Sequence, residues 1–212
     1  MGSEPGSITM FDSERSGKVL SITGTASGMG LQTAKFLASK GCKLCIADIQ
    51  ERVLKKAKAD IEANNGAGTC IAVKTDVRSQ SQVDPGEVKH GRLLVTFIIV
   101  RTSLLLTEDW QFVLDVNLTG MTNRLRAQIP NLKNGAAIVN FASVSGQRAG
   151  PVNTFMMRET DNTGHIDMNF ASLLALNGVG EVQDFANLIE FLLSDKSCFI
   201  TGGTISINGG WI

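Results

Sequence analysis

The sequence predicts a single α/β domain built on a doubly wound parallel sheet, and three observations predict it. Short apolar, β-branched runs alternate with amphipathic helical stretches, the pattern of parallel strands joined by helical crossovers. The first run, Lys-Val-Leu-Ser-Ile-Thr at 18–23, leads straight into a glycine-rich turn, Gly-Thr-Ala-Ser-Gly-Met-Gly at 24–30. The next run ends on an acid, Asp48. Right-handed crossovers then put helices on both faces of the sheet and ligands at the carboxyl ends of its strands.

Each element follows from local pattern. Residues 19–23 are a short strand, and 31–40 a helix with Ala34, Leu37 and Ala38 inward and Gly41 as its stop. Residues 43–47 form the second strand. Val53, Ala57 and Ile61 recur at i, i+4 and i+8, with Leu54 beside them, and mark a second helix ended by Asn64, Asn65 and Gly66. Residues 70–73 make a third strand, and the nearly continuous apolar run 93–100 a strand buried on both faces. A helix over 110–128 stops before Pro130. Residues 136–141 form a strand, 182–193 an amphipathic helix, and 204–207 a last strand before Gly209 and Gly210. Arg124 and Arg126 read as solvated positions near the end of the 110–128 helix.

Composition narrows the function classes. With 212 residues, one domain can bury roughly 70% of its unfolded surface. Lys plus Arg and Asp plus Glu each number 20, so no net field recruits nucleic acid or an anionic membrane, and near-neutrality suits a homo-oligomer. The apolar stretch 93–106 is interrupted by Arg101 and falls short of the ~20 residues of a spanning helix. Residues 1–17 are polar, Gly- and Ser-rich and lack a secretory pattern, so they read as a flexible segment ahead of a domain at 18–212, with a cytoplasmic location expected. Four cysteines make no disulfide scaffold. Cys42 and Cys45 spell C-x-x-C on a strand, where odd spacing sends the side chains to opposite faces, so they read as structural and no metal is expected.

The glycines at 24, 28 and 30 sit between a strand and a helix. There they permit a tight turn and let backbone amides approach a diphosphate resting on the helix N-terminus. Asp48, 18 residues past Gly30, can accept hydrogen bonds from both ribose hydroxyls and would repel a 2′-phosphate. The expected cofactor is therefore NAD, with NADP disfavoured.

The string Thr-Gly-Thr-Ala-Ser-Gly-Met-Gly at 23–30 resembles the cofactor motif of the classical short-chain dehydrogenases/reductases. The likeness continues in Thr-Asp-Val at 75–77, Asp-Val-Asn-Leu-Thr-Gly at 115–120, Ala-Ile-Val-Asn-Phe-Ala-Ser at 137–143 and the C-terminal stretch 191–202 with Gly-Gly-Trp at 209–211. It implies a Rossmann-like fold and an oxidoreductase acting on a hydroxyl or carbonyl group. It implies cofactor contacts from Gly24, Ser27, Gly28, Met29, Gly30, Asp48, Asp76, Val77 and Asn117, with Ser143 and Asn117 in the active site. Gly-Pro-Val-Asn-Thr at 150–154 is similar to the family segment whose threonine, here Thr154, holds the nicotinamide carboxamide.

The chain departs from that family at two places. Residues 66–116 contain no Asn, so the family's Asn-Asn-Ala-Gly turn is missing, and 82–107, with Pro85-Gly86, reads as shortened. The second departure concerns the Tyr-x-x-x-Lys pair that the family places about a dozen residues after its serine. At that spacing stand Met156 and Thr160, and the chain contains no tyrosine at all. By that resemblance the sequence passes from the loop after Ser143 directly to 150–154, skipping one helix and one strand of the family fold. In the family the tyrosine supplies a proton and the lysine depresses its pKa; a positioned acid is worth roughly 10²–10⁴ in rate. His90 and His165 read as solvated rather than as replacements. The skipped helix is one the family uses in dimer packing, so the surface around 110–128 should be unusually apolar. Residues 155–180, with Met156, Met157, Phe170 and Leu173, suggest an apolar lid and a small hydrophobic substrate, as in secondary metabolism or a sterol-like molecule. The alternative is a pseudoenzyme or partner subunit that keeps the pocket without turnover.

Overall fold

The structure is a computed structural model, and it describes residues 18–83, 93–97, 107–132, 134–142, 174–176 and 179–210, with the backbone alone described at 93–97 and 107–109. Strands β1 (Val19–Thr23), β2 (Lys43–Asp48), β3 (Cys70–Lys74), β4 (Leu93–Phe97) and β5 (Ala137–Phe141) form one sheet in the order β3-β2-β1-β4-β5. Every neighbouring pair is parallel. The order runs outward from β1 to β3 and then restarts on the other side of β1 with β4. The topological switch therefore lies between β1 and β4, where such sheets open a crevice for ligands.

Helices α1 (Gly28–Ser39), α2 (Glu51–Asn65), the short α3 (Gln80–Val83), α4 (Thr107–Leu114), α5 (Gly120–Gln128) and α6 (Val182–Leu192) complete the domain. Period-2 alternation in the strands sorts the core onto one face. Leu20, Ile22, Leu44 and Ile46 pack with Ala34, Leu37 and Ala38 of α1, Leu54, Ala57 and Ile61 of α2, and Ile189 of α6. Leu54 rather than the half-buried Val53 heads the α2 stripe. α6 starts with a capping box between Glu181 and Asp184. Its Phe185 meets Phe141 of β5 at 5.7 Å between ring centroids.

The opposite face is unusually polar. Ser21 and Thr23 of β1 are buried there beside Cys45, and the side chain of Arg124 comes down onto them from α5. Arg124 is fully buried, which corrects its reading as a solvated position. The buried face of α5 is Gly120, Asn123, Arg124, Ala127 and Gln128, spaced as a helix face should be but carrying polar groups, so hydropathy concealed it. On β5, Ala137, Val139 and Phe141 pack on the core while Ile138 and Asn140 stand exposed on the other side. Farther out on the α4–α5 helix, Trp110, Leu118 and Ile129 are 54%, 64% and 54% exposed.

Residues 204–207, expected as a last strand, form none: β5 is the outermost strand of the described sheet. A strand exists only as half of a ladder; among the described residues no strand pairs with this segment, and residues 204–206 are exposed, Ile205 included. Cys42 and Cys45 are both buried and in no disulfide, Cys42 in the main core and Cys45 on the far face of β2. Burial pushes the Cys45 thiol up to about 11 and that of Cys70 to about 12, so both are inert thiols.

Candidate dinucleotide site

The site is assembled where β1, β2 and β3 end. After Thr23 the chain turns through Gly24 and enters α1, with Ser27 as an extended N-cap whose hydroxyl makes no capping bond. The first intrahelical bond is donated by Leu31 to the Ser27 carbonyl, 3.2 Å away. The N–H groups of Gly28, Met29 and Gly30 therefore precede the helical ladder and point out of its positive end. No acid occupies the first turn of α1.

Two glycines are required for different reasons. Gly28 has φ +56°, and a Cβ there would meet nothing within 4 Å, so the space in front of it is open. A Cβ on Gly30 would lie 2.0 Å from the Gly24 carbonyl oxygen, so only glycine lets the helix start against the turn. Open space before an uncapped helix N-terminus is the geometry that a diphosphate fits.

Asp48 is tied to that turn. One carboxylate oxygen accepts the Ala26 N–H at 3.0 Å and the other the Gln50 N–H at 2.9 Å. The turn is fastened to β2 a second time by the buried Thr25 hydroxyl, which donates to the Ala47 carbonyl at 3.2 Å. Each Asp48 oxygen keeps acceptor capacity for a hydroxyl.

The loop after β3 lies alongside, since the Thr75 N–H donates to the Asp48 carbonyl at 3.0 Å. Asp76 there pairs with Arg78, which holds its carboxyl below the usual carboxylate range through side-chain hydrogen bonding. Val77 is pinned by α5: the Asn123 amide donates to the carbonyls of Val77 at 3.0 Å and Arg78 at 3.1 Å. Gly120 lets the helix approach closely, because a Cβ there would sit 2.6 Å from Val77 Cγ2. Asn123 and Gly120 escaped the reading of the sequence; their three-residue spacing with a glycine was the only available signal.

Asn117 lies in a π-helical segment, Asp115–Thr119, that joins α4 to α5, and is half-buried. Such bulges free backbone carbonyls from the helical ladder and recur at functional sites. Gly24, Ser27, Gly28, Met29, Gly30, Asp48, Asp76 and Val77 thus lie at the carboxyl ends of β1, β2 and β3. Ser143 and Thr154 lie outside the described residues, as do His90, His165, Met156, Thr160 and most of the 155–180 stretch. Among the described residues no group of three or more His, Cys, Asp and Glu side chains could hold a metal, and no helix is long and apolar enough to cross a membrane.

A parallel sheet with a glycine turn at its switch point and an acid at the tip of the second strand defines a dinucleotide-binding α/β protein. Comparison with known proteins narrows that class. A family profile described as short chain dehydrogenase matches residues 18–90, and one described as enoyl-(acyl carrier protein) reductase matches 148–212. The chain is 32% identical to the short-chain dehydrogenase/reductase aba4 of Botryotinia fuckeliana over 252 positions, covering 92% of this chain and 96% of that protein. It is 30% identical to the ABA4 protein of Pyricularia oryzae over 249 positions, covering 92% of each. Both alignments exceed the 212 residues of this chain, so the relatives carry stretches with no counterpart here. A solved short-chain dehydrogenase/reductase of Serratia marcescens superposes with a TM-score of 0.80 at 19% identity, over 92% of this chain and 98% of that one. The chain belongs to the short-chain dehydrogenase/reductase family, whose members bind a nicotinamide dinucleotide.

Proposed function

We propose that this chain binds NAD(H) in preference to NADP(H) and acts on a hydroxyl or carbonyl group of a small hydrophobic molecule, in secondary metabolism. The observation that carries the reading is the Asp48 carboxylate, hydrogen-bonded to Ala26 in the glycine turn. With the diphosphate on the α1 N-terminus, the adenosine ribose lies beside Asp48, which accepts its hydroxyls and repels a 2′-phosphate. The adenine then extends from that ribose toward the neighbouring strand end, where Asp76 and Val77 stand. Ser143 and Thr154 serve substrate oxygen and carboxamide, and Asn117 orders the floor of the pocket.

The cofactor, when bound, supplies or accepts a hydride. Reduction of a carbonyl leaves an oxyanion that must take a proton, and with no tyrosine in the chain a hydrogen bond from Ser143 is the remaining local help. A serine hydroxyl is a poor acid at neutral pH, which slows the step by roughly 10²–10⁴.

That same absence of tyrosine favours a second reading: a partner subunit or pseudoenzyme that keeps the pocket without turnover. Calorimetric titration with NADH and NADPH, followed by NADH consumption against a panel of apolar ketones and secondary alcohols, separates the two. Tighter NADH binding with turnover supports the oxidoreductase. Binding with silence across the panel supports the second reading, and tighter NADPH binding overturns the cofactor preference.

A further inference from the structure

The loop after β3 grips the α4–α5 helix on both sides of its π-helical turn. Before the turn, the Arg78 guanidinium lies over the Phe112 ring of α4, 5.1 Å from the centroid. Asp76 holds it there: Oδ2 accepts Nη2 at 2.6 Å, and the two oxygens share the Nε hydrogen at 2.9 and 3.1 Å. Asp76 foremost, and Asp115 more weakly, push the Arg78 pKa above the ordinary arginine range, so the ring always meets a cation. After the turn, Asn123 donates to the carbonyls of Val77 and Arg78, and Gly120 packs on Val77. Between these two attachments an i→i+5 bond runs from the Gly120 N–H to the Asp115 carbonyl, and Asn117 stands in the middle.

A π turn houses one extra residue. If its ladder reverts to i→i+4 bonds, the residues before the turn rotate by about 100° against those after it. Fixing both flanks to one loop therefore fixes the direction in which Asn117 points. Phe112 is 44% exposed, so its ring is not there to fill the core. We infer that Arg78 and Phe112 are positioning residues, whose contact sets the register of the π turn and so aims Asn117 at the nicotinamide half of the site. The inference rests on the reading above, in which the adenosine half lies at Asp48 and Asp76 and Asn117 orders the floor of the pocket.

The test titrates the full chain and its F112L, F112Y, R78Q and N117A variants with NADH and with ADP-ribose, which lacks the nicotinamide ring. It also reads the emission of bound NADH and amide exchange at 115–119. F112L keeps apolar bulk and leaves Asp76 and Arg78 in place, but removes the aromatic face that holds the cation. It should quicken exchange at 115–119, weaken NADH about threefold and move its emission toward that of free NADH, with ADP-ribose affinity unchanged. R78Q should weaken NADH relative to ADP-ribose by a similar factor, and F112Y, which restores an aromatic face, should match the parent. N117A should reproduce the loss of NADH relative to ADP-ribose. A ratio and an emission unchanged in both F112L and R78Q, or both ligands weakened equally, would overturn the positioning role and leave the dinucleotide site standing. Parent-like NADH binding by N117A removes Asn117 from the pocket floor and the inference with it. Folded protein that binds neither ligand removes the dinucleotide reading as well.

Discussion

The Asp48 carboxylate accepts the backbone N–H of Ala26 across 3.0 Å, joining the tip of β2 to the turn that follows β1. One side chain thus shapes the turn and faces the place where a ribose would lie. The second Asp48 oxygen, on the Gln50 N–H, fixes the carboxylate plane.

Replacing Asp48 with Ala strips two backbone donors of their acceptor. Thermal and urea unfolding should show a loss of about 1–2 kcal/mol. NADH affinity should fall at least about tenfold by calorimetry, and NADPH affinity should fall less, because the repulsion of a 2′-phosphate goes with the charge.

The two glycines should separate folding from binding. Gly30→Ala drives a methyl into the Gly24 carbonyl at 2.0 Å, so backbone must shift and the denaturation midpoint should drop by the equivalent of about 2 kcal/mol or more. Gly28→Ala meets no atom but adopts φ +56°, a strain of about 1 kcal/mol. Its methyl fills the open space before the helix, so the protein should stay folded while NADH titration goes flat.

Asn123 ties α5 to the loop after β3 through two carbonyls. Asn123→Ala should cost about 1–3 kcal/mol in urea unfolding, because the acceptors lose their partner in a half-buried setting. Amide exchange should quicken at 75–79 while β1 and β2 keep their protection.

Arg124 supplies a pH prediction. Burial lowers its pKa from the usual arginine range to about 9, so above pH 9 the unfolded chain binds more protons, and this group makes stability rise with pH there. Cys45 works oppositely: its folded value of about 11 lies above the ordinary 9.0, so its contribution is present below pH 9 and lost by about 11. Arg124→Met should therefore raise stability at pH 7 by about 1–3 kcal/mol, since an apolar side chain replaces a buried charge. The same variant should lose stability more steeply than the parent between pH 9 and 11, measured by urea unfolding at stepped pH.

Much of the fold was legible in local pattern. The strand–glycine–helix order at 19–39, the acid closing β2 and the stripe through Ala57 and Ile61 are short-range features, and the structure bears them out. Arg124 and residues 204–207 were not legible. A guanidinium at the end of an amphipathic helix looks solvated until the opposing strand presents Ser21 to it. The segment Thr-Ile-Ser-Ile at 204–207 looks like a strand, yet it does not join the described sheet beside β5.

Periodicity, turn chemistry and the tip acid were enough to determine a parallel α/β sheet with a dinucleotide turn, because each depends on residues a few positions apart. The inventory of side chains likewise determined that no tyrosine can serve as a proton donor. Only the tertiary structure decided which distant polar groups are spent on one another: Asp48 on Ala26 and Asn123 on the carbonyls of the β3 loop. Those pairings join residues brought together by strand order and helix packing, and hydrogen bonds are set by distance in space, which spacing along the chain does not encode.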